Sequence, residues 1–370
     1  MAETMTAVDG NEKNLLKVRQ AAFIMLAFSP ALKLVFLPSV MAEVAYEQLW
    51  LPLLTSFLIE GILIALILVL FEKRGYKTFF KCLEESFGSV AARAIYFFIA
   101  VFLVLKSLLP IFEHKLYIEN TIYEMSPDRI TFYIFFAFST YLSVQGVKIL
   151  GRAADIAVVF TLLGLLTAFG LSVGAADYSN LLPIIKKPAY NLVNAAFRPV
   201  VWQGDAVYII LFSGHFRPEK GYKKKILSGY TVGALATILF SATLYGIYGA
   251  ITPSQNYALP SMSVFSVIVT NIGRFDFLSI FLLLFSQVFA VSMPLMLAVK
   301  CLERAFSLKN SIVAAIAVNA AVLIVTAIFS GSVFELLKLS TDVLCYCYAA
   351  FVAFSVLIVA ITKKAVKNEI

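Results

Sequence analysis

The chain has 370 residues, of which 61% are hydrophobic and only 14% charged, and its mean hydropathy is +0.89. Soluble domains carry about 45–50% apolar and about 25% charged residues, so this composition excludes an ordinary soluble protein. It equally excludes a disordered chain, a coiled coil and a disulfide-rich secreted module. The formal net charge of +8 would suit a nucleic-acid binder. The basic residues, however, sit in short segments between apolar runs, where they orient a chain in a bilayer, so no nucleic-acid partner is expected. Cys82 and Cys301 fall in expected cytoplasmic loops, and Cys345 and Cys347 in the last apolar stretch. A C-x-C with no nearby His or further Cys is a poor metal site. Residues 1–19 are polar and contain no apolar h-region, which predicts a cytoplasmic tail and no cleavable signal peptide.

A helix needs about 20 apolar residues to cross the hydrocarbon core. Ten segments qualify as spans: Gln20–Val40, Leu49–Phe71, Arg93–Phe112, Ile130–Gln145, Asp155–Val173, Leu192–Ser213, Ile226–Ile251, Phe275–Val299, Ser311–Ser330 and Leu339–Ile361. The fourth is short, and the third has room to continue past Pro110. Segment Ala258–Gly273 is broken by Pro260 and is expected as a short helix lying at the interface. The fold class is therefore an all-α membrane protein with a transmembrane domain over 20–361 and a short tail over 362–370. With the N-terminus inside, the cytoplasmic segments hold 21 Lys and Arg residues and the opposite side 6, which places both termini in the cytoplasm.

Three basic residues, Lys33, Lys106 and Arg198, lie inside apolar runs. A charge at membrane depth costs on the order of 2.5–3.5 kcal/mol or more and faces a partner or a polar cavity. The matching acids are Glu60, Glu113 and Asp205, which suggests an internal polar site; for Arg198 and Glu113, snorkelling from helix ends is the alternative.

The first span contains Phe28-Ser29-Pro30-Ala31-Leu32-Lys33, where proline removes a backbone hydrogen bond and predicts unwinding near Ser29. The sixth contains Arg198-Pro199 followed by Trp202-Gln203-Gly204-Asp205-Ala206, a second improbable stretch for a continuous lipid-facing helix. The two interruptions are five spans apart, at the first helix of each half of a ten-span chain. Paired breaks of this kind point to an inverted-repeat transporter and its binding site, with repeats over about 20–173 and 192–361. The alternative is that both prolines merely kink packed helices. Unwinding frees backbone N–H and C=O groups at the midplane, where lipid cannot satisfy them and a ligand's carboxylate and ammonium groups can. Ser29, Pro30, Ala31, Lys33, Lys106, Trp202, Gln203, Gly204, Asp205 and Gln287 are the candidate ligand-binding residues. Lys33 is placed to act as a fixed cation or as a titrating group coupled to protons, and Asp205 to neutralise it or take a substrate amine.

The sequence has no Walker A, H-E-x-x-H, G-x-S-x-G or helix-opening G-x-G-x-x-G motif, and nothing in it calls for a cofactor, a metal or an enzymatic step. Its two histidines, His114 and His215, sit near expected loops and are read as solvated.

Val18-Arg19-Gln20, Leu37-Pro38, Trp50 and Phe71-Glu72-Lys73-Arg74 occur in an order and spacing that extend along nearly the whole chain. Gln145-Gly146-Val147-Lys148 leads to Gly151-Arg152-Ala153-Ala154-Asp155-Ile156, and Tyr178-Ser179-Asn180-Leu181-Leu182-Pro183-Ile184 and Gly204-Asp205 follow. In these features the chain resembles the spore germination permeases, the B subunits of GerA-type germinant receptors in the amino acid–polyamine–organocation superfamily. The departures are Ser29-Pro30-Ala31 in place of a glycine-containing stretch, the presence of Lys33, and Asp205 where the family has Glu. The resemblance implies a LeuT-type 5+5 inverted repeat with broken helices 1 and 6. It also implies a germinant-sensing subunit of the spore inner membrane that binds a small ligand such as an amino acid and works with A and C subunits. The alternative function is a secondary amino acid or amine transporter, with Lys33 placed for coupling to protons.

Overall fold

The computed structural model describes residues 15–121, 130–183, 189–216, 218–264, 276–308 and 310–362. Arg129, Lys186, Lys187, Arg217, Arg274, Lys309 and the basic residues after 362, all used in the charge count, lie outside the described residues, as does most of the N-terminal tail.

The described residues form α-helices throughout, in the order α1 (Val18–Ala31), α2 (Leu37–Ala45), α3 (Trp50–Lys73), α4 (Phe79–Thr121), α5 (Ile130–Gln145), α6 (Val147–Ser172) and α7 (Ala189–Ala195). Then come α8 (Asp205–Phe212), α9 (Tyr222–Tyr248), α10 (Ala258–Val264), α11 (Asp276–Phe306), α12 (Ser311–Ile328), α13 (Val333–Leu339) and α14 (Cys345–Ile361). The β-type pairing among them is one isolated bridge, Leu16 with Phe216, which ties the entry to α1 to the exit from α8.

Among the described residues, seven helices are long and apolar enough to cross a membrane: those built on α3, α4, α6, α9, α11, α12 and on α13 joined to α14. Of the ten expected spans, the three outside this set have identifiable physical reasons. The first and sixth are interrupted, and α5 has 16 residues. The third runs through Pro110 to Thr121 and begins at Phe79, with one non-helical residue at Gly88 (φ 84°). Cys82 and Cys301 are therefore helical and buried instead of lying in loops. The segment expected at the interface is also different in its described part. Ala258, Leu259 and Met262 of α10 are buried, and the Ser172 hydroxyl donates to the Met262 carbonyl at 2.8 Å, so α10 is packed into the bundle.

Lipid-type exposure is plain on the outer faces, where Leu58, Ile59, Ile62, Phe98, Ile134, Leu166 and Ile328 are all more than half exposed. Such surfaces are compatible with a hydrocarbon solvent and not with water. The centre holds α1, α8 and α11. Helix α1 packs chiefly on α9, α6 and α11. Its approach to α9 depends on small residues: a Cβ on Gly229 would stand 2.3 Å from the Ala22 carbonyl oxygen, and one on Gly233 3.1 Å from that of Met25. Close backbone approach of this kind is how helices gain contact where lipid offers no hydrophobic drive between them.

Candidate ligand site

Both interruptions are real features of the backbone. The first begins later than the sequence predicts: α1 continues through Ser29 and Pro30 to Ala31, and the non-helical stretch is Leu32–Phe36. Proline's missing N–H and its clash affect the turn before it, so one more residue still fits the helical path before the ladder fails. The Lys33 N–H then turns back to the Pro30 carbonyl at 2.8 Å, and the Val35 carbonyl accepts from the Ala258 N–H at 3.0 Å. The sixth segment passes from α7 through a 3-10 turn at Arg198–Val201 to non-helical Gln203 and Gly204, and then α8 starts at Asp205. A Cβ at Gly204 would lie 2.8 Å from Lys106 Cε, which accounts for glycine there by space.

The two breaks meet through charge. Lys33 Nζ lies 3.0 Å from Asp205 Oδ2. Ser29 accepts from Lys33 Nζ and donates to the same Asp205 oxygen at 2.6 Å. Lys33 and Asp205 are 1% and 2% exposed, so the pair is sealed from the surroundings. The placement follows helix electrostatics. Lys33 sits just past the C-terminus of α1, the negative end of that helix, and Asp205 occupies the first position of α8, the positive end. Phe57 lies beneath the ammonium, 5.4 Å from Nζ to the ring centroid.

Glu60 of α3 completes the α8 end. Its Oε1 accepts from the N–H groups of Gly204 at 3.0 Å and Asp205 at 2.9 Å, and its Oε2 from the Tyr230 hydroxyl at 3.2 Å. Two of the N–H groups freed by the break are thus held by a carboxylate instead of by solvent. Lys106 donates to the Val200 carbonyl at 2.7 Å and lies over the Phe102 and Tyr348 rings. The Trp202 indole N–H is shared between both Glu113 oxygens at 2.9 Å. Ser56 donates to Gln203 Oε1 at 2.9 Å, while Gln203 Nε2 is buried without a hydrogen-bond partner.

Ser29, Pro30, Ala31, Lys33, Lys106, Trp202, Gln203, Gly204 and Asp205 are therefore all buried at or beside the two breaks. Gln287 is elsewhere: it lines a cavity of about 30 Å³ with His114 and Val291, and neither of its amide atoms has a partner among the described residues. Arg198 pairs with Asp342 at 2.8 Å in a half-exposed position, away from the three internal acids. His114 is buried on α4 with its Nδ1 2.7 Å from the Pro110 carbonyl oxygen, not solvated. Sequence reasoning marked Glu60 as a buried acid but left it out of the site. Its mid-span position was the signal, and its two backbone donors were invisible without the fold. Tyr230 and Phe57 gave no signal at all.

Two cavities lie beside the sixth segment, one at each end. One, about 390 Å³, is lined by Phe36, Glu43, Arg198, Lys338 and Asp342 before the break. The other, about 440 Å³, is lined by Leu211 and His215 at the far end of α8, with residues of α4 and α11.

A helical bundle with apolar outer faces, two interrupted central segments and a sealed ion pair between them fits an integral membrane protein. The family described as spore germination protein matches residues 15–334, most of the chain, and the chain belongs to that family. A search of curated proteins gives no match to it.

Proposed function

We propose that the chain is a germinant-sensing subunit of a spore germination receptor, with a small zwitterionic ligand such as an amino acid bound between the interrupted first and sixth segments. The observation that carries this reading is the Lys33–Asp205 pair, which joins the two breaks and leaves one fixed cation and one fixed anion side by side. A zwitterion inserted between them pairs its carboxylate with Lys33 and its ammonium with Asp205, so no net charge is added to the buried site. The ligand then competes with an existing ion pair, and its binding favours the conformation in which the two breaks separate. On this reading the chain is a LeuT-type 5+5 repeat with halves over about 20–173 and 192–361. Its termini are cytoplasmic, its membrane is the spore inner membrane, and A and C subunits read the conformational change.

The test is thermal unfolding of the purified chain against amino acids, nucleosides and sugars, since a ligand that binds only the folded state raises its stability. Amino acids should raise the midpoint, and the double variant Lys33→Met/Asp205→Leu should stay folded and lose the shift. A shift that survives in the double variant places the ligand elsewhere.

A second reading, a secondary transporter of an amino acid or amine, is favoured by the cavities that lie at each end of the sixth segment. Alternating access needs a route from each side. Uptake of labelled amino acid into liposomes by the chain alone would select this reading over sensing.

A further inference from the structure

The cavity of about 440 Å³ at the far end of α8 has chemistry of its own. Arg93 of α4 and Arg304 and Lys300 of α11 line it, together with the carboxylates of Glu84 and Glu303. Lys300 is paired with Glu303 on the same helix at 3.0 Å. Among the described residues, neither Arg93 nor Arg304 has a carboxylate partner; Arg304 lies over the Phe80 ring at 5.6 Å. His215 lines the same cavity. The wall therefore offers two guanidinium groups with no carboxylate partner among the described residues, and an imidazole beside them.

The rim has the opposite character. Phe97 follows Arg93 by one turn on α4 and meets Phe306 edge-on, with ring centroids 5.8 Å apart. Both rings are exposed, at 40% and 58%, and Val90 and Phe98 beside them are more exposed still. In a chain surrounded by lipid these side chains contact acyl chains. A recess with more basic than acidic side chains, beside exposed aromatic rings of α4 and α11, fits a molecule with an anionic head and an apolar tail.

We propose that this cavity binds an anionic phospholipid of the surrounding leaflet, its phosphate held between Arg93 and Arg304 with His215 as a third contact, and an acyl chain laid along Phe97 and Phe306. Arginine suits the task because its planar fork of N–H donors matches phosphate oxygens. Free phosphate shares the head chemistry but not the tail, so the two sources can be separated by experiment.

The full chain in mild detergent is titrated with phosphatidylglycerol, with phosphatidylcholine of the same chains and with inorganic phosphate, and bound lipid is counted by native mass spectrometry. Saturable binding of one phosphatidylglycerol is expected, with phosphatidylcholine and inorganic phosphate much weaker. Replacing either arginine by Gln should weaken phosphatidylglycerol roughly fivefold, and Arg93→Gln/Arg304→Gln about thirtyfold, the effect of one and two basic residues near an anionic surface. Lys220→Gln/Lys224→Gln, an equal charge loss at exposed positions just before and in the first turn of α9, should leave it unchanged. Equal binding of phosphatidylcholine, equal loss in the lysine control, or inorganic phosphate matching the lipid would each overturn the proposal. If the double arginine variant does not fold, Phe97→Ala decides: severalfold weaker lipid binding is expected, and unaltered lipid binding overturns the lipid assignment.

Discussion

The two interrupted segments solve one physical problem in different ways. Both leave backbone groups without helical partners inside an apolar bundle, where each unsatisfied group costs several kcal/mol by order of magnitude. At the first break the repair is largely backbone to backbone: Lys33 N–H to the Pro30 carbonyl, and the Ala258 N–H to Val35. At the sixth, a side chain from another helix makes the repair, the Glu60 carboxylate taking the Gly204 and Asp205 N–H groups. The first break exposes the carbonyl end of α1 and is followed by a lysine; the sixth exposes the amide end of α8 and opens with an aspartate. The difference teaches that the breaks are complementary halves of one charged site, each presenting the charge its own helix end favours.

That contrast can be attacked first at the ion pair. Removing one partner leaves a buried charge uncompensated, so Lys33→Ala alone should lower the unfolding free energy by about 3–5 kcal/mol, whereas Lys33→Met/Asp205→Leu should come close to wild type. Chemical denaturation of both variants checks this, and a double variant as unstable as the single would mean that the breaks are not joined through these two groups. The carboxylate repair of the sixth break is probed by Glu60→Gln, which weakens two charge-assisted hydrogen bonds. A loss of about 1.5–3 kcal/mol is expected by the same measurement. Pro30→Ala addresses the first break, whose closure rests on other contacts. Its unfolding free energy should change by less than about 1 kcal/mol, because the higher helix propensity of alanine is offset by loss of the proline ring beside Gly233 of α9. A larger change would show that proline, and not the contacts beyond it, ends α1. The smallest effect is expected from Arg198→Ala, since its pair with Asp342 is partly exposed and such pairs contribute about 0–1 kcal/mol.

Much of this site was legible in the order of residues. Pro30 and the Gly204-Asp205 pair marked the breaks, because proline cannot donate and a polar stretch in an apolar run must face something other than lipid. The charges of Lys33, Glu60, Lys106 and Asp205 were visible as exceptions in segments that lipid would otherwise fill with apolar side chains. Their partners were not. Whether Lys106 meets an acid or a carbonyl depends on helix rotation, and the structure sends it to Val200. Gln287 looked like a site residue because it is a polar group in an apolar helix, but the turn of α11 places it in a small cavity that His114 also lines.

Composition and the order of apolar and polar residues determined that the chain suits lipid and is helical, and pointed to breaks in two central segments, because hydrocarbon leaves unpaired backbone and charge no other solvent. Only the tertiary structure decided which charge answers which, where the first helix ends, and that a glutamate from α3 closes the sixth break. These depend on how helices rotate and cross, and side-chain directions set by packing over many residues are not encoded in any local stretch of the chain.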